Sequence, residues 1–154
     1  MNNKYYITTA IAYVNAPPHV GHAMEFIQAD VVARFHRLKG DEVFFMTGTD
    51  EHGTKVAETA EKQGKTPQEL ADANAQTFKD MCELMNVQYD KFIRTSDDAH
   101  KRSAQKLWKR LVDAGDVYKD TCEGLCCVGC EAFVLEKDLV DGKCPTHHKE
   151  PKLL

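Results

Sequence analysis

The sequence has no apolar run near the length of a bilayer-spanning helix, so no transmembrane segment is expected. It has no leucine-rich leader either. Met1-Asn2-Asn3-Lys4 leads straight into a strand-like stretch, which argues against a signal peptide and makes the cytoplasm the expected address. Internal repeats, low-complexity tracts and Ser/Gly linkers are missing. Positive charge is in deficit: a net charge of -4 argues against nucleic-acid binding by bulk electrostatics, though not against a local basic patch. The usual Gly-rich phosphate cradles are absent too, since neither a lysine-bearing P-loop nor a dinucleotide glycine fingerprint occurs.

What is there reads as soluble and globular. With 154 residues, 42% of them apolar and 29% charged, the chain can bury one real core, with room for an appendage. Lys4 to Ala12 is β-branched and aromatic without clear alternation, the pattern of a parallel strand buried on both faces. Residues 13–21 form a Pro/Gly turn. From His22 to Lys39 the apolar residues Met24, Ile27, Val31, Val32, Phe35 and Leu38 recur at helical spacing, and Gly40 stops the helix. Asp41 to Met46 is a second strand, and strand–helix–strand implies a right-handed crossover in a parallel sheet. Helices over 54–63 and 67–85 follow, the second opened by Thr66-Pro67. Val87 to Arg94 is a third extended piece. Ser96-Asp97-Asp98 caps a helix to about Ala114, with Leu107, Trp108 and Leu111 on its buried face and Gly115 as terminator. Val117-Tyr118 starts another strand. The composition shifts near residue 115, where helix gives way to short strands and cysteines.

Pro17-Pro18-His19-Val20-Gly21-His22 joins the first strand to the first helix. A helix N-terminus placed there offers free backbone N–H groups and a positive dipole end to a phosphate. His19 and His22 can each donate a hydrogen bond to charge developing on that phosphate, in place of a P-loop lysine. An H-x-x-H on its own can also be two polar residues in a turn. The second strand ends in Thr47-Gly48-Thr49-Asp50-Glu51-His52-Gly53, beyond the carboxyl end of a parallel strand, where ligands bind in such sheets. Asp50 or Glu51 can hold a substrate ammonium there; the bland alternative is a solvated loop. Tyr13 in the turn can cover a small apolar side chain or simply pack.

Of six cysteines, Cys82 stands alone, while Cys122, Cys126, Cys127, Cys130 and Cys144 crowd the last quarter. In a reducing compartment that distribution favours a metal site over disulfides. Cys127, Cys130, Cys144 and His147 form a C-x2-C-x13-C-x2-H pattern with the spacing of structural zinc; Cys126 and His148 are adjacent alternatives.

The stretch Ala12 to His22 resembles the HIGH signature of class I aminoacyl-tRNA synthetases. Thr8 to Asn15, Ala29-Asp30-Val31 and Thr47 to Gly53, together with the knuckle, resemble the methionyl members of that class along the full chain. The resemblance implies an α/β fold. Residues 1–115 would be the N-terminal half of a Rossmann-like parallel sheet with flanking helices, and residues 116–154 the start of a zinc-knuckle connective insertion. It implies ATP-dependent, Mg-assisted conversion of methionine to methionyl-adenylate and its transfer to tRNA(Met). His19 and His22 would bind and stabilise the phosphates, while Gly21, Asn15 and Glu25 would line the ATP site. Ile11, Tyr13 and Asp50 would bind methionine, Asp50 by its amino group. One zinc on Cys127, Cys130, Cys144 and His147 would brace the insertion that approaches the tRNA acceptor end. The KMSKS loop, the second half of the sheet and the anticodon domain have no counterpart, so the chain is expected to be an N-terminal piece, inactive alone, of open oligomeric state. Two other readings stand beside this one: an adenylate-forming nucleotidyltransferase that uses no tRNA, and a zinc-ribbon RNA-binding module.

Overall fold

A computed structural model describes residues 3–121 and 123–154; Met1, Asn2 and Cys122, named above for the leader and the cysteine cluster, lie outside the described residues. The chain forms two compact units, divided between Gln105 and Lys106. No helix among the described residues is long and apolar enough to cross a membrane.

The first unit begins with β1 (Lys4–Thr8) and β2 (Ala12–Tyr13), followed by helix α1 (Val20–Leu38) and strand β3 (Glu42–Asp50). Helices α2 (Thr54–Lys62) and α3 (Pro67–Leu84), strand β4 (Lys91–Arg94) and helix α4 (Asp98–Ala114) complete the α/β part. Every strand pair of this sheet is parallel. Met46 of β3 is partnered by both Thr8 and Lys91, and Thr49 by both Ala12 and Arg94. So β1 and β2 share one edge of β3, and β4 takes the other. Between Thr8↔Met46 and Ala12↔Thr49 the first chain advances one residue more than β3. The expected single strand over 4–12 is therefore two, separated by a bulge at residues 9–11.

Burial also differs from the reading of the sequence. Along β1 exposure alternates, and Tyr6 is exposed while Tyr5 and Ile7 turn inward. Tyr5 stacks on His36 of α1 at 3.4 Å between ring centroids, and Ile7 packs on the core. One face of the strand is covered, not two. On α1 the buried residues are Phe26, Ala29, Asp30 and Ala33. The predicted stripe of Met24, Ile27, Val31, Val32, Phe35 and Leu38 is exposed. Small side chains are what lets a helix lie close on a sheet; the larger apolar ones occupy a second face. Buried Asp30 is satisfied by Arg34 Nε at 2.6 Å and the Gln88 amide at 2.9 Å. The core shared by the sheet, α1 and α3 joins Ala12, Phe26, Ala33, Phe45, Phe78 and Cys82. Val14, Val56, Ala60, Leu70 and Ala71 form a second cluster.

The second strand runs four residues beyond the expected Met46, so Thr47 to Asp50 belong to the sheet. The Thr66-Pro67 start of α3 is as expected: Thr66 Oγ1 accepts from the Glu69 amide at 3.2 Å and Glu69 Oε2 accepts from the Thr66 amide at 2.8 Å. Helix α4 buries none of its residues, so Leu107, Trp108 and Leu111 are exposed, contrary to the sequence reading.

No strand forms at Val117-Tyr118; the next strand is β5 (Leu125–Cys127), which pairs antiparallel with β6 (Ala132–Val134) and β7 (Lys152–Leu153). Among the described residues from 106 onward only Cys127 and Cys144 are buried. The described residues of this unit form no hydrophobic core of their own.

Candidate active site

The turn after β2 delivers His19 as the N-cap of α1. His19 Nδ1 accepts from the Gly21 amide at 3.1 Å, and His22 Nδ1 accepts from the His19 amide at 3.3 Å. Two imidazoles thus do what Ser and Glu do in an ordinary capping box. A neutral imidazole that accepts at Nδ1 carries its proton on Nε2. Each ring is held with one N–H available as a donor at the helix N-terminus. The rings stack 3.9 Å apart between centroids, and His22 lies edge-on to Phe78 at 5.1 Å. Burial, and then the proximity of His19, lower the pKa of His22 below its ordinary 6.5, which keeps it neutral. Gly21 is required by close approach: a Cβ there would lie 2.9 Å from His19 Cε1.

Glu25, one turn further along, reaches back to the bulge, where its Oε1 accepts from the Ala10 amide at 2.7 Å. Its carboxylate is thereby spent on the backbone next to Ile11. Ile11 and Tyr13 are partly exposed, and Tyr13 pairs in register with Asp50. Lys55 Nζ lies 5.1 Å from the Tyr13 ring centroid. Asn15 is half-buried in the turn. Because the strands are parallel, and α1 starts where the β1/β2 edge ends, the histidine pair and Asp50 occupy the same carboxyl edge of the sheet.

Asp50 and Glu51 differ in burial and in partners. Glu51 is buried and fully engaged: Arg94 Nε donates to its Oε1 at 2.7 Å and Nη2 to its Oε2 at 3.0 Å, Thr49 Oγ1 donates at 2.8 Å, and Ser96 Oγ donates as well. Arg94 also donates to Asp72 of α3 at 2.5 Å. The hydrogen bonds to Glu51, ahead of those to Asp72, raise the guanidinium's pKa further and keep it charged. The Glu51 carboxylate thus takes its four hydrogen bonds from within the protein. Asp50 is half-buried and receives one long contact, from Thr95 Oγ1 at 3.3 Å. His52 is exposed.

Sequence reasoning missed the residues that hold this edge. Asn74 is buried on the apolar stripe of α3 and donates Nδ2 to the Val14 carbonyl at 2.6 Å, which fixes the turn. A polar residue in line with Leu70, Ala71, Ala75 and Phe78 was the signal. Arg94, the end of β4, and Thr95 after it lead into Ser96-Asp97-Asp98, and that polar run was their only signal.

In the second unit Cys127, Cys130, Cys144 and His147 bring their ligand atoms within 4.8 Å of one another. Cys130 and Cys144 Sγ are 3.5 Å apart, and His147 Nδ1 is 3.2 Å from Cys130 Sγ, 3.9 Å from Cys127 Sγ and 4.0 Å from Cys144 Sγ. A tetrahedral zinc with bonds of about 2.0–2.3 Å requires edges of roughly 3.3–3.8 Å; the donor set, three thiols and an imidazole, suits such an ion, and its wider pairs would draw in around one. Cys126 and His148 are outside the cluster. Amide hydrogen bonds, first from His147, lower Cys144 to about 6, whereas hydrogen bonding with Cys144 raises Cys130 to about 11.

The family profile described as tRNA synthetases class I (M) matches residues 5–152. The chain belongs to the class I (M) tRNA synthetases. It is similar to the methionine–tRNA ligase of Clostridium perfringens, 50% identical over 92% of this chain and 22% of that protein. The Rhizobium meliloti methionine–tRNA ligase is 51% identical over 88% of this chain and 26% of its own length. Among solved structures, Mycobacterium tuberculosis methionyl-tRNA synthetase in complex with methionyl-adenylate aligns at TM-score 0.92 and 44% identity, covering 99% of this chain and 31% of that one. The synthetase chain described here thus spans roughly a quarter of the length of the curated relatives it matches (22% and 26%).

Proposed function

We propose that the protein carrying this chain activates methionine with ATP to methionyl-adenylate, releasing pyrophosphate, and transfers the methionyl group to tRNA(Met). The observation that carries the reading is the histidine capping box: two imidazoles, each accepting a backbone amide at Nδ1 and leaving Nε2 to donate, held at a helix N-terminus beside the strand end that presents Asp50. In adenylate formation a methionine carboxylate oxygen bonds to the α-phosphorus of ATP as the bond to pyrophosphate breaks. His19 and His22 donate to the phosphate oxygens on which charge grows, and the α1 dipole adds to them. Asp50 holds the methionine ammonium, Ile11 and Tyr13 line its side chain, and Gly21 and Asn15 border the nucleotide, which arrives with Mg. Glu25 supports the site through the Ala10 amide.

Residues 1–115 supply the first half of the catalytic domain and residues 116–154 the start of the insertion facing the tRNA acceptor end. Zinc held by Cys127, Cys130, Cys144 and His147 would have all four ligands from the protein and would serve as a staple rather than a catalyst. The expected site of action is the cytoplasm.

Methionine-dependent ATP–pyrophosphate exchange by the full-length protein tests the reading. His19→Ala and His22→Ala should each slow it by about a hundredfold, or roughly 3 kcal/mol of barrier, as for other preorganised donors. Unchanged exchange in both variants would refute the role of the pair, and dependence on another amino acid would refute methionine. The 154-residue chain alone should be inactive.

A further inference from the structure

We infer that Thr95 is a positioning residue that aims the Asp50 carboxylate, its hydroxyl held in place by the backbone amide of Glu51. Thr95 is 7% exposed and follows β4 directly at the carboxyl edge of the sheet. Its own amide donates to the Thr49 carbonyl at 3.2 Å, so its backbone is pinned to the adjacent strand. Its Oγ1 accepts from the Glu51 amide at 2.7 Å, and this strong bond fixes the hydroxyl in place. The one hydroxyl proton is then directed at Asp50 Oδ1, at 3.3 Å. Asp50 keeps its second oxygen for a ligand cation.

The ion pair contributes by what it withholds. Glu51 and Asp72 together occupy Arg94 at 2.7, 3.0 and 2.5 Å. Asp50 therefore faces a neutral hydroxyl, which orients it without neutralising it. That suits a carboxylate whose partner arrives as a substrate ammonium. The contact lengthened to 3.3 Å has room to shorten when that ammonium draws the carboxylate forward. The inference rests on the reading of Asp50 as the holder of the methionine amino group.

The experiment is a double-mutant cycle in the full-length enzyme, read as KM for methionine, KM for ATP and kcat in pyrophosphate exchange, with thermal melts to confirm folding. Thr95→Val should raise KM for methionine by about tenfold, the usual scale for one hydrogen bond to a charged group, and leave KM for ATP unchanged. Thr95→Ser, which keeps the hydroxyl, should restore it. On an Asp50→Asn background Thr95→Val should add nothing further. Loss of methionine affinity in Asp50→Asn but not in Thr95→Val overturns the role of Thr95 alone. So does an equal Thr95→Val effect with and without Asp50, which would mark a general structural defect. An Asp50→Asn variant with normal methionine KM overturns the reading of Asp50 itself.

Discussion

At His19 and His22 the backbone determines which ring nitrogen carries the proton, and this ties the chemistry of the pair to pH. A protonated imidazole is a donor at both nitrogens, so it can no longer accept from the amides of Gly21 and His19 that build the cap. Burial, followed by the neighbouring His19, lowers the pKa of His22 from 6.5. The sign follows from linkage: in the window just below 6.5 the unfolded chain binds a proton at this position that the folded chain refuses. Above that window His22 contributes no pH dependence, and as pH falls through it folded stability is lost. An NMR titration of the imidazole resonances should therefore show His22 titrating below 6.5 and the His19 amide, which donates to it, losing protection as it does. A midpoint for His22 above 6.5 would contradict the burial argument.

The elements that position the first site were legible where local chemistry dominates and obscure where packing does. Pro17-Pro18 before a helix and Thr66-Pro67 before another announce their boundaries through fixed φ and cap oxygens. On α1, by contrast, two faces carry apolar residues, and the hydrophobic pattern alone selects the wrong one. Phe26, Ala29 and Ala33 face the sheet because it approaches closely, a tertiary fact with no local signature. The knuckle was legible because metal-ligand spacing is itself the signal. Its consequence follows from the burial of the second unit: with only Cys127 and Cys144 buried among the described residues from 106 onward, a bound ion would do the work of a core. Gly129 shares in this, since a Cβ there would lie 2.5 Å from His147 Cγ and displace a ligand. Purified protein should hold about one zinc per chain. Chelation should abolish the β5–β6–β7 sheet by NMR while leaving the α1 and β3 resonances dispersed, and Gly129→Ala should lower the zinc content measured by mass spectrometry. Full retention of the small sheet after chelation would show that it stands without the ion.

On the scale of the whole molecule the notable quantity is apolar surface left in water. Val20, Met24, Ile27, Val31, Phe35 and Leu38 line one exposed face of α1, and Leu107, Trp108, Leu111 and Val112 line another on α4. The stacked pair Tyr6 and Phe44 lies on the sheet. Among the described residues β1 has no strand partner on its outer edge, since its only pairing is with β3. A contiguous apolar stripe beside an open parallel edge is a surface that associates, because burying it releases about 25 cal/mol per Å² and the edge offers unpaired N–H and C=O groups. The isolated chain should therefore self-associate, with a weight-average mass in sedimentation that climbs with concentration. Val31→Lys, which places a charge mid-stripe without touching the core face of Phe26, Ala29 and Ala33, should shift the distribution back to monomer and leave the melting temperature unchanged. If it sediments like the parent chain, α1 is not the associating face. If the parent chain stays monomeric at every concentration, the exposed stripes are too poorly matched to one another to hold two copies together.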